Sequence, residues 1–192
     1  MTVLSPEVTV ADSIVARYQL HKARWASCTA CPLHANRSSI VYFRGQLPCD
    51  ILFVGEAPGE TEDIQKYPFV GPAGEELDNL LEKTSRLQGM TYGITNIVAC
   101  IPIEHGSIRE PALIEVETCR ERLEELISLA EPTLYVALGK FANRHLPRNP
   151  AKTVCQLVHP AHIIREKNMI MREMLRKRFV SHLNVAIEST FR

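Results

Sequence analysis

The sequence predicts an α/β fold, a three-layer α/β/α sandwich around a central, mainly parallel four-stranded sheet. Short apolar runs alternate along the chain with longer amphipathic segments, and no internal repeat or low-complexity tract breaks the alternation. The runs are continuously apolar, as in strands covered on both faces. Three of them end in polar, unusual sequences, and ligands of such sheets bind at the carboxyl ends of the strands.

The elements follow in order. Pro6 to Arg24 reads as a helix packed on the outside. Asp50-Ile-Leu-Phe-Val-Gly55 is a buried strand that stops at a glycine turn. Ala73 to Arg86 is a helix with Leu77, Leu80, Leu81 and Thr84 on one face. Ile94 to Cys100 is the next strand, followed by a loop with Pro102, Gly106 and Pro111. Ala112 to Ala130 is the clearest helix, closed by Pro132. Thr133 to Leu138 is the third strand, and Gly139 opens a short helix that ends at Pro147. Val154 to Val158 is the fourth strand, ending at His159-Pro160, and Met169 to Ile187 is a long final helix.

A length of 192 residues, 45% of them apolar, predicts one domain with a sizeable core and an N-terminal helical extension over residues 1–24. No stretch approaches the ~20 uninterrupted apolar residues that a bilayer requires. The first residues, MTVLSPEVTVADS, carry two acids and no early basic residue, unlike a signal peptide. A cytoplasmic, nucleoid-associated protein is expected, and nothing suggests more than a monomer. Zero net charge argues against a protein that coats nucleic acid, but it leaves room for a local basic face. The stretch REKNMIMREMLRKRF is the candidate for that face, with a solvated helix surface as the plain alternative.

Six cysteines in an intracellular chain are metal ligands or buried small hydrophobes rather than disulfides. Cys28 and Cys31 have the two-residue spacing that lets two thiolates reach one centre. Cys100 lies at a strand end and Cys119 inside the next helix. Four thiolates hold either zinc or an iron–sulfur cluster, and spacing does not choose between them. Burial is the competing explanation for Cys100 and Cys119, and the expected one for Cys49 and Cys155.

Taken in order, the motifs resemble the family 4 uracil-DNA glycosylases, the iron–sulfur branch of the uracil-DNA glycosylase superfamily. They are Cys28-x-x-Cys31-Pro-Leu, Gly55-Glu-Ala-Pro-Gly59-Glu-Thr-Glu-Asp63 and Tyr67-Pro-Phe69-Val-Gly71-Pro-Ala-Gly74. Thr95-Asn96-Ile-Val-Ala-Cys100-Ile-Pro102, Arg109-Glu-Pro111, Cys119, Ala137-Leu-Gly139 and His159-Pro160-Ala161 complete the series. Each motif alone is weak, and the ordered set over residues 25–165 is strong.

The resemblance implies a DNA glycosylase that flips uracil out of DNA and hydrolyses its N-glycosidic bond, leaving an abasic site in base excision repair. It implies a structural 4Fe-4S cluster on Cys28, Cys31, Cys100 and Cys119. It gives Phe69 the role of stacking on the base and Asn96 that of hydrogen-bonding the pyrimidine edge, to which an amide offers both a donor and an acceptor. His159 is the donor at uracil O2, where negative charge develops on the departing base.

The Gly55–Gly59 loop, with Glu56 and Ala57, would lie against base and sugar-phosphate, Gly59 beside the backbone. Ala57 stands where the best-known branch of the superfamily has a water-activating aspartate. Glu56 is the adjacent candidate base, with Glu60, Glu62 and Asp63 following. The segment after His159-Pro-Ala departs from the family's usual apolar wedge. Ile163, Ile164 and Met169 are wedge candidates, Arg165 is a backbone contact, and His162 is an extra ionisable group beside the pocket. Two other readings compete: excision of a modified pyrimidine, as in restriction or processing of modified phage DNA, and a non-catalytic iron–sulfur DNA-binding module.

Overall fold

The computed structural model describes residues 10–192; the predicted helical residues Pro6 to Thr9 lie outside it. In chain order the strands are β1 (Arg44–Gly45), β2 (Ile51–Gly55), β3 (Tyr92–Asn96), β4 (Ile103–Glu104), β5 (Ser107–Ile108), β6 (Leu134–Leu138) and β7 (Thr153–Leu157). The helices are α1 (Val10–Trp25), α2 (Glu60–Gln65), α3 (Pro72–Glu82), α4 (Leu113–Ala130), α5 (Lys140–His145), α6 (Pro160–Arg165) and α7 (Met169–Thr190).

The main sheet has the order β1-β3-β2-β6-β7, and its last four strands are the four that the sequence predicts, all parallel. The sheet is five-stranded rather than four-stranded. The additional edge strand, β1, is antiparallel to β3 and only two residues long, too short to show any period. A small hairpin, β4–β5, fills the loop after β3.

Alternation along the strands divides the core into two layers. Leu52, Val54, Tyr135 and Ala137 face one layer, closed by Val116, Leu123 and Leu126 of α4 and by Phe141 of α5. Ile51, Phe53, Leu134 and Val136 face the other, closed by Leu77 and Leu80 of α3, Ile163 of α6 and Phe179 and Leu183 of α7. The helix α1 packs along α4, where the Trp25 indole and the His21 imidazole both bond Glu125, at 2.6 Å and 3.1 Å.

Two boundaries move for local reasons. The predicted helix 73–86 ends at Glu82, where the Thr84 hydroxyl turns back to donate to the Leu80 carbonyl. The predicted strand 94–100 ends at Asn96. Its continuation bends to bond the loop after β2, Ile97 N–H to the Gly55 carbonyl and Val98 N–H to the Glu56 carbonyl. Among the described residues no helix is long and apolar enough to cross a membrane.

Candidate active site

At the carboxyl ends of β2 and β3 the loops 55–63 and 67–74 are held together by one buried carboxylate. Glu62 accepts from the backbone N–H groups of Gly59 (3.1 Å), Val70 (3.0 Å) and Gly71 (2.8 Å). Asp63 fixes the neighbouring segment, accepting from Ser38 N–H at 2.7 Å and Ser39 N–H at 3.0 Å. Both carboxylates are thereby committed to loop structure, and Glu60 is exposed. Of the four acids in this stretch, Glu56 alone is half-buried and lines a cavity beside His159.

Phe69 and Asn96 converge over Gly55. A Cβ at Gly55 would fall 2.4 Å from Asn96 Oδ1 and 2.6 Å from the Phe69 ring, so only glycine allows both to approach the strand end. Phe69 itself has a positive φ of 56°, a strained backbone for an aromatic residue of the kind that clusters at functional sites. Gly74 permits that arrangement, since a Cβ there would lie 2.0 Å from the Phe69 carbonyl oxygen. Asn96 is buried and its Oδ1 has no hydrogen-bond partner among the described residues. An unmatched buried acceptor is costly unless a ligand supplies the donor.

The third member is His159, the residue that caps α6. Its ring lies 5.6 Å from that of Phe69 with the planes tilted by 36°. Its Nδ1 accepts from the Ala161 N–H at 3.1 Å, which leaves the proton of the neutral ring on Nε2. Burial pushes its pKa down to about 4; the Arg165 guanidinium adds to the effect and Glu62 opposes it. At neutral pH His159 is therefore an uncharged N–H donor. The Glu56 carboxyl is pushed up by burial and by neighbouring Glu110, against a lowering effect of Arg165.

A cavity of about 640 Å³ opens beside these groups, reached by Glu56, Glu110, His159, His162, Arg178 and His182. Sequence reading singled out His162 there but missed Glu110, Arg178 and His182. It also missed the role of Glu62, although the three-residue step from Gly59 to Glu62 is that of a capping box. Ile163 is fully buried against the α3–α7 layer, which removes it as a wedge: at the surface near α6 stand the half-buried Ile164 and the exposed Met169 and Ile170. Arg165 is exposed, and Ala57 packs half-buried against the α4 layer. In the basic C-terminal stretch, Arg176 pairs with Glu76 and Arg172 bonds the Glu166 carbonyl, while Lys167, Lys177 and Arg178 stay exposed.

A second cavity brings Cys28, Cys31, Cys100 and Cys119 together, with Arg37 and Arg122 also reaching it. Arg37 donates to Cys100 Sγ at 3.4 Å. Burial raises the Cys100 thiol to about 11, with Arg37 opposing and the Cys119 and Cys31 thiols adding; burial also raises Cys31, with Cys119 and Cys28 among the contributors. Among the described residues no three His, Cys, Asp or Glu side chains converge on a single ion. The four thiols line a shared space. Cys49 is buried in the core, and Cys155 is partly buried at the α7 layer.

Residues 43–184 match the family model described as the uracil DNA glycosylase superfamily. The chain belongs to that superfamily. It is 34% identical over 168 residues to the Type-4 uracil-DNA glycosylase of Thermotoga maritima, an alignment covering 79% of this chain and 85% of that protein. It is 38% identical to the enzyme of the same name from Archaeoglobus fulgidus, over 60% of this chain and 56% of that protein. For the Pyrobaculum aerophilum Type-4 uracil-DNA glycosylase the identity is 37%, over 62% of this chain and 59% of that protein. The chain thus spans a little over half the length of these two archaeal relatives. The superfamily match covers Phe69, Asn96, His159, Cys100 and Cys119, and begins after Cys28 and Cys31.

Proposed function

We propose that this protein is a DNA N-glycosylase that excises uracil from DNA and leaves an abasic site. The observation that carries the reading is the convergence of an Asn96 Oδ1 with no partner among the described residues, the strained Phe69 and the neutral His159 N–H donor at one strand-end site. Uracil must leave the base stack to be reached, at the cost of unpairing and unstacking. Phe69 then supplies a face for the ring, and Asn96 Oδ1 accepts from N3–H while its amide nitrogen donates to O4. As the glycosidic bond breaks, charge develops on the departing base, and the Nε2–H of His159 donates to O2.

The sugar develops oxocarbenium character, as in other glycoside hydrolyses. Glu56 is the one carboxylate of its loop available to orient the attacking water. Arg165 and Gly59 are assigned to the DNA backbone, and the apolar wedge role passes from Ile163 to Ile164 or to the exposed Met169.

The thiol-lined cavity supports a 4Fe-4S cluster on Cys28, Cys31, Cys100 and Cys119. All four thiols line one common space, and two cationic side chains, Arg37 and Arg122, reach it. When bound, such a cluster supplies a structural crosslink, tying the segment after α1 to the loop after β3 and to α4. The cavity of about 640 Å³ beside His159 favours one second reading, a pyrimidine bearing a substituent.

Single-turnover excision on matched oligonucleotides carrying uracil, thymine, cytosine or a bulky modified pyrimidine separates these readings. Alkali-labile cleavage at uracil alone is expected. Cleavage confined to the modified base would replace uracil as substrate, and no cleavage of any would leave a DNA-binding module only.

A further inference from the structure

Arg122 is among the largest fully buried side chains of the protein, 2% exposed, yet no carboxylate pairs with it among the described residues. It lies one turn beyond Cys119 on α4, so both project from the same face of the helix. One Nη donates to the carbonyl oxygens of Asn96 at 2.8 Å and Ile97 at 2.9 Å; the other reaches the Thr95 hydroxyl at 3.4 Å. Every one of these acceptors is neutral. Its Nε is buried with no partner among the described residues, and the side chain lines the cavity of the four cysteines. Nearby Glu125 is taken by His21, Trp25 and Arg24, and Glu121 by Arg24.

A buried guanidinium without a counter-charge is strongly destabilising. The countercharge has one evident source. A cluster ligated by four thiolates is anionic, and the unused Nε donor belongs to a side chain at its cavity. Arg37, which also lines the cavity, donates to Cys100 Sγ. We infer that Arg122 is the internal counter-cation of the group held by the four cysteines and the positioning residue that couples this group to Asn96; the inference rests on the cluster reading above. Arg122 joins the cysteine cavity to the base site through the carbonyls of residues 96 and 97. Occupancy of the cavity therefore governs how firmly the end of β3 presents the Asn96 amide.

Charge compensation has a consequence that packing lacks: the effect of removing the charge reverses sign with occupancy. The experiment crosses Arg122→Leu with anaerobic removal of iron by chelator, and reads the thermal midpoints of the four forms together with iron and sulfide content. Arg122→Leu is expected to lower the midpoint of the loaded protein and raise that of the stripped protein. The loaded Arg122→Leu protein should also bleach in chelator on the order of tenfold faster than wild type, whereas Arg122→Lys, which keeps the charge, stays within about threefold.

Midpoint shifts in the same direction, or equal bleaching of wild type and Arg122→Leu, overturn the inference. If the stripped forms do not fold, the bleaching rates alone decide. Wild-type protein purified anaerobically without iron or sulfide overturns the cluster reading itself, and that result is seen before any variant is made.

Discussion

The cysteine cavity and the base site hang on the same short segment, with Asn96 and Cys100 four residues apart, yet their electrostatics differ. The charged groups lining the cysteine cavity are cations, the buried Arg122 and the half-buried Arg37, with donors directed at sulfur and at carbonyls, while the buried carboxylate near Cys31, Glu115, is already paired with Arg109. Around the base site a histidine is kept uncharged, and the cavity carries charge of both signs, Glu56 and Glu110 against Lys140 and Arg178. The first environment suits a resident anion. The second suits a neutral ring that becomes anionic only as it departs, so its donor must be in place without carrying a charge that would bind any anion indiscriminately.

The largest expected effect lies on the cysteine side. Cys100→Ser should lose the visible iron–sulfur absorbance and most of the folded protein, because the crosslink between the segment after α1, the loop after β3 and α4 goes with it. A variant that stays coloured and stable would show that Cys100 is not a ligand. On the base side, His159→Ala should leave the fold and DNA binding largely intact and lower the single-turnover rate by roughly 10²- to 10³-fold, the usual worth of one donor to a developing anion. Loss of binding with an unchanged rate would remove it from the chemistry.

A smaller effect is expected at Phe69. Phe69→Leu should weaken uracil-DNA binding by about tenfold, the magnitude of one lost base–aromatic stack, measured as KM or as single-turnover half-saturation. An unchanged KM would make the ring a core residue only. The smallest effect concerns stability against pH. His21 and His159 are both held down to about 4 by burial, below the ordinary 6.5. The unfolded chain therefore binds protons first as pH falls, and stability is full above about 6.5 and lost progressively down to about 4. Each histidine contributes at most about one proton to that slope. His159→Asn should flatten it in denaturant titrations, and an unaltered slope would place the acid lability elsewhere.

The strands of the sheet were legible because they are continuously apolar, and the ordered motifs put Asn96 and His159 at strand ends and Phe69 in the loop between α2 and α3. Two residues such as Arg44 and Gly45 have no period to read, so the antiparallel edge strand was not. Ile163 and Ile164 are adjacent apolar residues in a short helix. Only packing against Phe179 and Leu183 decides that the first turns inward. Arg122 was invisible for a different reason. On a charged amphipathic helix an arginine reads as solvated surface, and its burial follows from the cysteine cavity and the carbonyls of residues 96 and 97, which no local pattern encodes. Glu62 looked like a candidate base by proximity. Two of its three backbone partners, Val70 and Gly71, exist only because the 67–74 loop folds over it.

The most direct test of the central claim, that an uncharged His159 N–H stabilises the departing base, is the pH profile of single-turnover uracil excision from mildly acidic to neutral pH. The predicted profile is flat from neutral pH down through 6.5 and falls only at more acidic pH, as the Glu56 carboxylate is protonated and, toward about 4, His159 takes up its second proton. A rate that climbs as pH drops through 6.5 would mean that the imidazolium is the active form, and would contradict the claim.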